Sequence, residues 1–272
     1  MAPPHFFSNQ TETLMKIDLN GLSVMLAMPT HRDVHPAVIQ SLLATQMLLA
    51  RHGVALEINL LAGGAYVECA RNHLTRIFLD GPHNRLFWWD SDIVCNAEDF
   101  LRVVGFSSEL DVVGALYPFR RDPPAFCMTG MDPGKKVKQH KFGCVSWEGI
   151  SFGLGFTCVH RKVMEELAAT APSILMSLDA EVPQKAMPGV FRCTVVSTEL
   201  SKSLGADGAY KGEDIHFFDD VQTLGYDVWV DPAITLGHIG AKMYMADIRE
   251  SLLKIVEDGA GGFQFEGKEA AS

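Results

Sequence analysis

From residue 22 the chain reads Leu22-Ser23-Val24-Met25-Leu26-Ala27-Met28-Pro29, an apolar run ended by proline and followed by the polar Thr30-His31-Arg32-Asp33. A run of this length bounded by turn residues predicts a buried strand that empties into a loop. Residues 36–52 predict a helix: Pro36 suits its first turn, apolar residues recur at 38, 39, 42, 43, 47 and 48, and Gly53 stops it. Ala55 to Ala62 predicts a second strand, ended by Gly63-Gly64, and Tyr66 to Leu79 a second helix. Arg85 to Trp89 predicts a third strand that runs straight into Asp90-Ser91-Asp92.

Strands alternating with helices at this spacing predict an α/β layer on a mostly parallel sheet. In such sheets ligands bind beyond the carboxyl ends of the strands, which places the Thr30 and Asp90 loops on one rim. The second half is less regular. Asp111 to Tyr117 reads as a buried strand, 120–148 as a long loop rich in Pro, Gly and Lys, and Ser151 to His160 as a glycine-punctuated strand. Lys162 to Thr170 predicts a helix, 171–208 is irregular, Glu213 to Leu224 predicts a helix and Asp227 to Val230 a strand. The expected divisions are an N-terminal extension over 1–20, one catalytic-size domain over 21–242, and a C-terminal helix and tail over 243–272.

Composition narrows the classes. At 272 residues the chain can bury a large core without staples. A net charge of −10 disfavours a general nucleic-acid coat or an anionic membrane surface, while leaving room for a local basic patch. No apolar run reaches the ~18 residues of a membrane span, and Met1-Ala2-Pro3-Pro4-His5 lacks the pattern of a signal peptide, so a soluble, cytoplasmic protein is expected. The cysteines at 69, 95, 127, 144, 158 and 193 form no C-x-x-C and are expected as reduced core thiols rather than disulfides or zinc ligands. There is no G-x-x-x-x-G-K-[ST] for a P-loop and no Gly-x-Ser-x-Gly for a nucleophile elbow.

Four features could carry chemistry. Asp90 and Asp92 are delivered by a stiff apolar strand, and oxygen ligands of this kind suit Mg²⁺ or Mn²⁺, which take one or two carboxylates plus substrate phosphates. An acidic turn after a strand has the same appearance. Gly212-Glu213-Asp214 stands at a helix start, where carboxylates also serve as caps. Gly237-His238-Ile239-Gly240 puts a histidine between glycines, as a ligand or as a solvated turn residue. Gly153-Leu154-Gly155-Phe156 is a strand that something approaches closely, or a bulge.

Taken in order, these residues resemble the metal-dependent glycosyltransferases of the GT-A fold, in particular the compact bacterial and phage members related to family 2. The likeness runs from the strand and D-x-D at 86–92, through Gly153-Leu154-Gly155-Phe156, His160-Arg161 and Gly212-Glu213-Asp214, to Gly225-Tyr226-Asp227-Val228-Trp229-Val230-Asp231-Pro232 and Gly237-His238. It spans about residues 22–240. The fold it implies is the nucleotide-diphospho-sugar transferase fold, with a Rossmann-like, mostly parallel central sheet flanked by helices. The activity it implies is transfer of a sugar from a UDP- or GDP-sugar donor to an acceptor hydroxyl with Mn²⁺ or Mg²⁺. On that resemblance Asp92 binds the metal, Asp90 reaches the ribose or the metal through water, and His238 completes the coordination. Pro29, Thr30 and Arg71 hold the nucleotide, with Gly155 beside it, and Asp214 with Glu213 faces the acceptor. Arg71 also fits a plain surface arginine on its helix.

One segment lies outside the resemblance. Lys135, Lys136, Lys138 and Lys141, with His140 among them, follow Met131-Asp132-Pro133-Gly134. They read as a solvated loop, as a mobile lid over the donor diphosphate, or as a contact for a phosphate-bearing acceptor such as nucleic acid. Trp147 and Glu148 beyond them could face a sugar or base, or Trp147 could be core. A sugar transfer to a modified nucleic-acid base, and a non-catalytic sugar-nucleotide-binding protein, remain alternatives at this point.

Overall fold

The structure is a computed structural model and describes residues 18–31, 33–63, 66–126, 128–175, 185–249, 255–257 and 261–266. The expected N-terminal extension lies outside these apart from residues 18–20. The strands are β1 (Ser23–Thr30), β2 (Ala55–Ala62), β3 (Arg85–Trp89), β4 (Ile93–Val94), β5 (Val112–Gly114), β6 (Lys136–Gln139), β7 (Val145–Trp147), β8 (Phe156–His160), β9 (Ser173–Ile174), β10 (Met187–Pro188), β11 (Thr194–Val196), β12 (Ala209–Lys211), β13 (Val228–Val230), β14 (Gly237–Ile239), β15 (Met243–Met245), β16 (Ile255–Glu257) and β17 (Phe263–Phe265). The helices are α1 (Pro36–Arg51), α2 (Val67–Asp80), α3 (Ala97–Phe106), α4 (Arg161–Thr170), α5 (Glu199–Ser203) and α6 (Glu213–Thr223). The first five elements coincide with the predicted ones to within a residue or two, and β1 continues through Pro29, which pairs with Leu61 on β2.

Ten strands form one sheet in the order β16-β17-β6-β7-β13-β5-β8-β3-β1-β2. β2, β1 and β3 run parallel, as do β5 and β13. β8 is inserted antiparallel between β3 and β5, and β7, β6, β17 and β16 extend the sheet as antiparallel neighbours. The sheet is therefore mostly parallel in strand direction, with β8, β7 and β17 reversed.

Side-chain alternation along β1 and β3 sorts the core onto two faces. Met25, Ala27, Leu86 and Trp88 join Leu74 and Phe78 of α2, Met164 of α4 and Phe217 of α6. Val24, Leu26, Met28, Phe87 and Trp89 join Leu42 of α1 and Phe100 of α3, with the Phe87 and Phe100 rings stacked at 4.0 Å. The apolar face of α1 is narrower than its sequence implied. Val38, Leu42 and Leu49 are buried, whereas Ile39, Leu43 and Met47 face outward.

The lysine segment differs from expectation. Rather than a free loop or lid, it holds β6, which pairs with β7 on one side and β17 on the other. Lys138 pairs with Asp227 at 2.6 Å, Lys141 with Glu109 at 2.6 Å, and Lys135 with Asp132 at 3.2 Å and the Glu148 carbonyl at 3.0 Å. Six strand spacings separate β6 from β1, roughly 29 Å, so these side chains do not reach the β1 end. Trp147 is buried against Phe265 and donates to the Thr129 carbonyl, which makes it core. The C-terminal stretch, expected as a helix and tail, supplies β15, β16 and β17 besides the helical residues 248–249.

All five described cysteines are free, and Cys95, Cys144 and Cys158 are buried, as core thiols should be. Among the described residues no helix is long and apolar enough to cross a membrane.

Candidate functional site

The carboxyl ends of β1, β3 and β5 open on one rim, around a cleft of about 550 Å³. It is lined by Pro29 and Thr30 at the end of β1, by Asp90, Ser91 and Asp92 after β3, and by Tyr117, Arg120 and His238. Thr30 Oγ1 is buried without a hydrogen-bond partner.

The two aspartates of the D-x-D segment face different surroundings. Asp90 turns inward. Its Oδ1 accepts from Arg71 Nη2 at 3.1 Å, and its Oδ2 lies 3.5 Å from the Tyr117 hydroxyl. Asp92 turns toward β14. That strand runs antiparallel to β4, with His238 opposite Ile93, and Ile239 donates its N–H to the Asp92 carbonyl at 2.8 Å. The pairing brings His238 Nε2 to 3.7 Å from Asp92 Oδ2. Asp92 and His238 therefore share one corner, while Asp90, which also lines the cleft, is paired with Arg71.

The glycines at 153 and 155 have a steric reason. A Cβ on Gly155 would stand 2.3 Å from Asp90 Oδ2, and one on Gly153 would stand 2.3 Å from the Tyr117 hydroxyl. Gly155 also donates its N–H to that hydroxyl at 3.2 Å and accepts from the Asp90 N–H at 3.0 Å. What approaches this strand closely is the protein's own Asp90 and Tyr117, so Gly155 holds the carboxylate in place from behind. Burial, reinforced by the Asp90 charge, pushes the Tyr117 phenol well above its ordinary value and keeps it neutral.

Arg71 is displaced from its expected role. It is buried, does not line the cleft, and lies over the Trp88 ring at 5.3 Å. Its Nε stands 3.5 Å from Glu213 Oε1, so one guanidinium ties the end of β3 to the start of α6. Burial works against its charge, but Asp90 and Glu213 outweigh that effect and leave its pKa raised. Nε and Nη1 nevertheless make no hydrogen bond.

Asp214, beside Glu213 in the first turn of α6, accepts from the Ile215 N–H at 2.8 Å. Burial first, then the Glu213 charge, pushes its carboxyl up to about 6. It does not line the cleft of Asp92 and His238; the two groups meet through Asp90 and Arg71. A carboxylate that ionises near neutrality is suited to taking a proton from a hydroxyl.

Two further residues complete the corner, and the sequence reading passed over both. Arg120 donates from Nε to His238 Nε2 at 2.8 Å and pairs through Nη2 with Asp92 Oδ2. Tyr117 packs edge-on against the His238 ring at 5.1 Å. Both follow the apolar run that forms β5. The rule that placed Thr30 and Asp90 at strand ends would have found them too.

His238 Nδ1 stands 2.8 Å from the Pro118 carbonyl, which fixes Nδ1 as the protonated nitrogen and leaves the Nε2 lone pair outward. Burial, with the Arg120 charge adding to it, holds the imidazole below its ordinary pKa and keeps that lone pair available. Among the described residues no group of three or more His, Cys, Asp or Glu is placed to hold a metal. Asp92 and His238 offer two ligands, which fits an ion that takes its remaining ligands from water and phosphate.

No family model matches the chain, and no curated protein matches it. A solved structure that does is the crystal structure of a glycosyltransferase involved in the glycosylation of the major capsid of PBCV-1. The match covers 53% of this chain and 63% of that one, less than two thirds of its length, with 13% identity and a TM-score of 0.27.

Proposed function

We propose that this protein is a glycosyltransferase that moves a sugar from a UDP- or GDP-sugar to an acceptor hydroxyl, with Mn²⁺ or Mg²⁺ as cofactor. The observation that carries the reading is the β4–β14 pairing, which sets His238 Nε2 3.7 Å from Asp92 Oδ2 in the lining of a cleft on the strand-end rim. Those two side chains would hold the cation, which when bound neutralises charge on the departing diphosphate. Pro29 and Thr30, which line the cleft at the end of β1, would seat the nucleotide.

Transfer forms a bond from the acceptor oxygen to the anomeric carbon and breaks the bond from that carbon to the diphosphate. Asp214 would take the proton released by the acceptor hydroxyl, and its carboxyl at about 6 is mostly ionised at neutral pH and still basic enough to accept it. Glu213 would act through Asp214 and Arg71 rather than on substrate. Asp214 lies outside the lining of the cleft of Asp92 and His238, which favours a non-catalytic sugar-nucleotide binder as the second reading. The lysines lie six strands from β1, with Lys138 and Lys141 in surface ion pairs, so a phosphate-bearing acceptor held by them would be bound away from the cleft.

Calorimetry of UDP and of GDP with and without Mn²⁺, on wild type and Asp92→Asn, tests the reading. One diphosphate should bind in a metal-dependent way and lose that dependence in D92N. Equal affinity in all conditions would overturn it.

A further inference from the structure

The atoms best placed to ligate a cation already hold one. Arg120 bonds His238 Nε2 and Asp92 Oδ2, the two atoms that the proposed metal would use. We propose that Arg120 is a displaceable internal cation: it closes the Asp92–His238 pair before metal binds, and metal entry releases its guanidinium to the donor diphosphate. The inference rests on the metal reading of Asp92 and His238 given above.

Three observations support it. The first is that the Nε2 lone pair is preset by the Pro118 carbonyl, so the same nitrogen serves either cation without a change of tautomer. A second is spacing. Adjacent ligands of an ion bound at about 2.1 Å stand about 3 Å apart, so the observed 3.7 Å leaves the pair open by less than a side-chain rotation. Arg120 and a divalent ion cannot share that gap, because both need the same lone pairs and both are positive.

The third observation is where Arg120 can go. Its side chain is 47% exposed and lines the cleft, and its stem rests beside Gly240, where an added Cβ would meet Arg120 Cδ at 3.0 Å. Asp122, two residues along, is paired with Lys242 at 2.6 Å. A released guanidinium therefore turns into the cleft, where its fork matches phosphate oxygens. The cation and the diphosphate should then bind with positive coupling, each relieving a cost that the other would otherwise meet.

The test uses Mn²⁺ alone, followed by electron paramagnetic resonance, and then UDP or GDP titrated at saturating Mn²⁺. The proteins are wild type, Arg120→Gln, Arg120→Lys and Asp92→Asn. R120Q should bind Mn²⁺ alone about 5-fold or more tighter than wild type, yet bind the diphosphate more weakly and lose the coupling. R120K, which keeps the charge without the fork, should fall between. If R120Q binds Mn²⁺ no tighter while D92N abolishes binding, the metal reading stands and the role of Arg120 is overturned. If D92N binds Mn²⁺ as wild type does, the metal reading fails and this inference fails with it. Diphosphate binding that needs Arg120 but no Mn²⁺ would overturn displacement in favour of arginine standing in for the metal.

Discussion

Replacing Asp214 by asparagine should make the protein more stable at neutral pH while removing the proposed base. In the folded state the carboxyl is pushed from 3.8 to about 6 by burial and by Glu213. A raised folded pKa means that the protonated form is the one the fold favours. Its contribution to stability is present in full below about 4 and is lost as pH rises through about 6. Every tenfold gain in proton affinity on folding is worth about 1.36 kcal/mol, so ionising this group in place costs at most about 3 kcal/mol. Solvent reaches the half-buried side chain and lowers that figure to roughly 1–3 kcal/mol. Asparagine is never ionised, and its amide oxygen can still accept from the Ile215 N–H. It does forfeit the attraction of a carboxylate to the start of α6, about 0.3–1 kcal/mol. The balance at pH 7.5 is a gain of about 1–2 kcal/mol, read as a rise of several degrees in Tm at about 2–4 °C per kcal/mol for a chain of this size. At pH 4 the gain should vanish. Thermal unfolding at both pH values decides it, and needs no substrate. D214N being less stable than wild type at pH 7.5, or the same gain appearing at both pH values, would refute the reasoning.

Two further substitutions probe how the rim is held. Arg71→Met leaves the Asp90 and Glu213 carboxylates without their shared cation; breaking a buried pair costs ~3–5 kcal/mol, and the partial exposure of both partners reduces this to ~2–4 kcal/mol in urea unfolding. A loss below ~0.5 kcal/mol would show that the guanidinium does not tie β3 to α6. Gly155→Ala drives a methyl to 2.3 Å from Asp90 Oδ2, so Asp90 must leave Arg71, with a loss of ~1–3 kcal/mol and weaker Mn²⁺–diphosphate binding by calorimetry. Unchanged binding in G155A would mean that the position of Asp90 does not matter to the cleft.

What the sequence made legible was set by short-range pattern. β2 and β3 were read at their observed bounds because an apolar run between a helix stop and a glycine or acidic turn leaves little freedom. Asp92 and His238 were found as separate features, and β4 and β14 brought them together. The lysine segment was misread because its structure comes from afar. Lys136-Val137-Lys138 alternates as a strand should, with Val137 buried between exposed neighbours, but the run is short and flanked by proline and glycine. Its partner β17 arrives from 263–265, and no local signal announces that pairing. Arg71 was misread for the same reason: an arginine on a helix becomes a buried tie only when Asp90 and Glu213, far apart in the chain, close over it.

That closure explains how the fold sets the chemistry of Asp214. A turn closes over residues 90–93, with the Ile93 N–H bonded to the Asp90 carbonyl at 3.1 Å, and it sends Asp90 toward Arg71 and Asp92 toward Arg120 and His238. Beneath the rim one guanidinium serves Asp90 and Glu213, two carboxylates for a single positive charge. Asp214 is the third carboxylate of the group. Desolvation and the Glu213 charge act against its ionisation, Asp90 adds to them, and Arg71 offsets only part. A second cation in the cluster would pull the carboxyl down toward its ordinary range. The shortage of positive charge below the rim is thus part of what holds the Asp214 carboxyl up. Above the rim the balance is reversed, with Arg120 set directly against Asp92 and His238. The same D-x-D segment therefore lies between Arg71 with its carboxylates on one side and Arg120 with Asp92 and His238 on the other, and Gly155 leaves the room that Asp90 occupies.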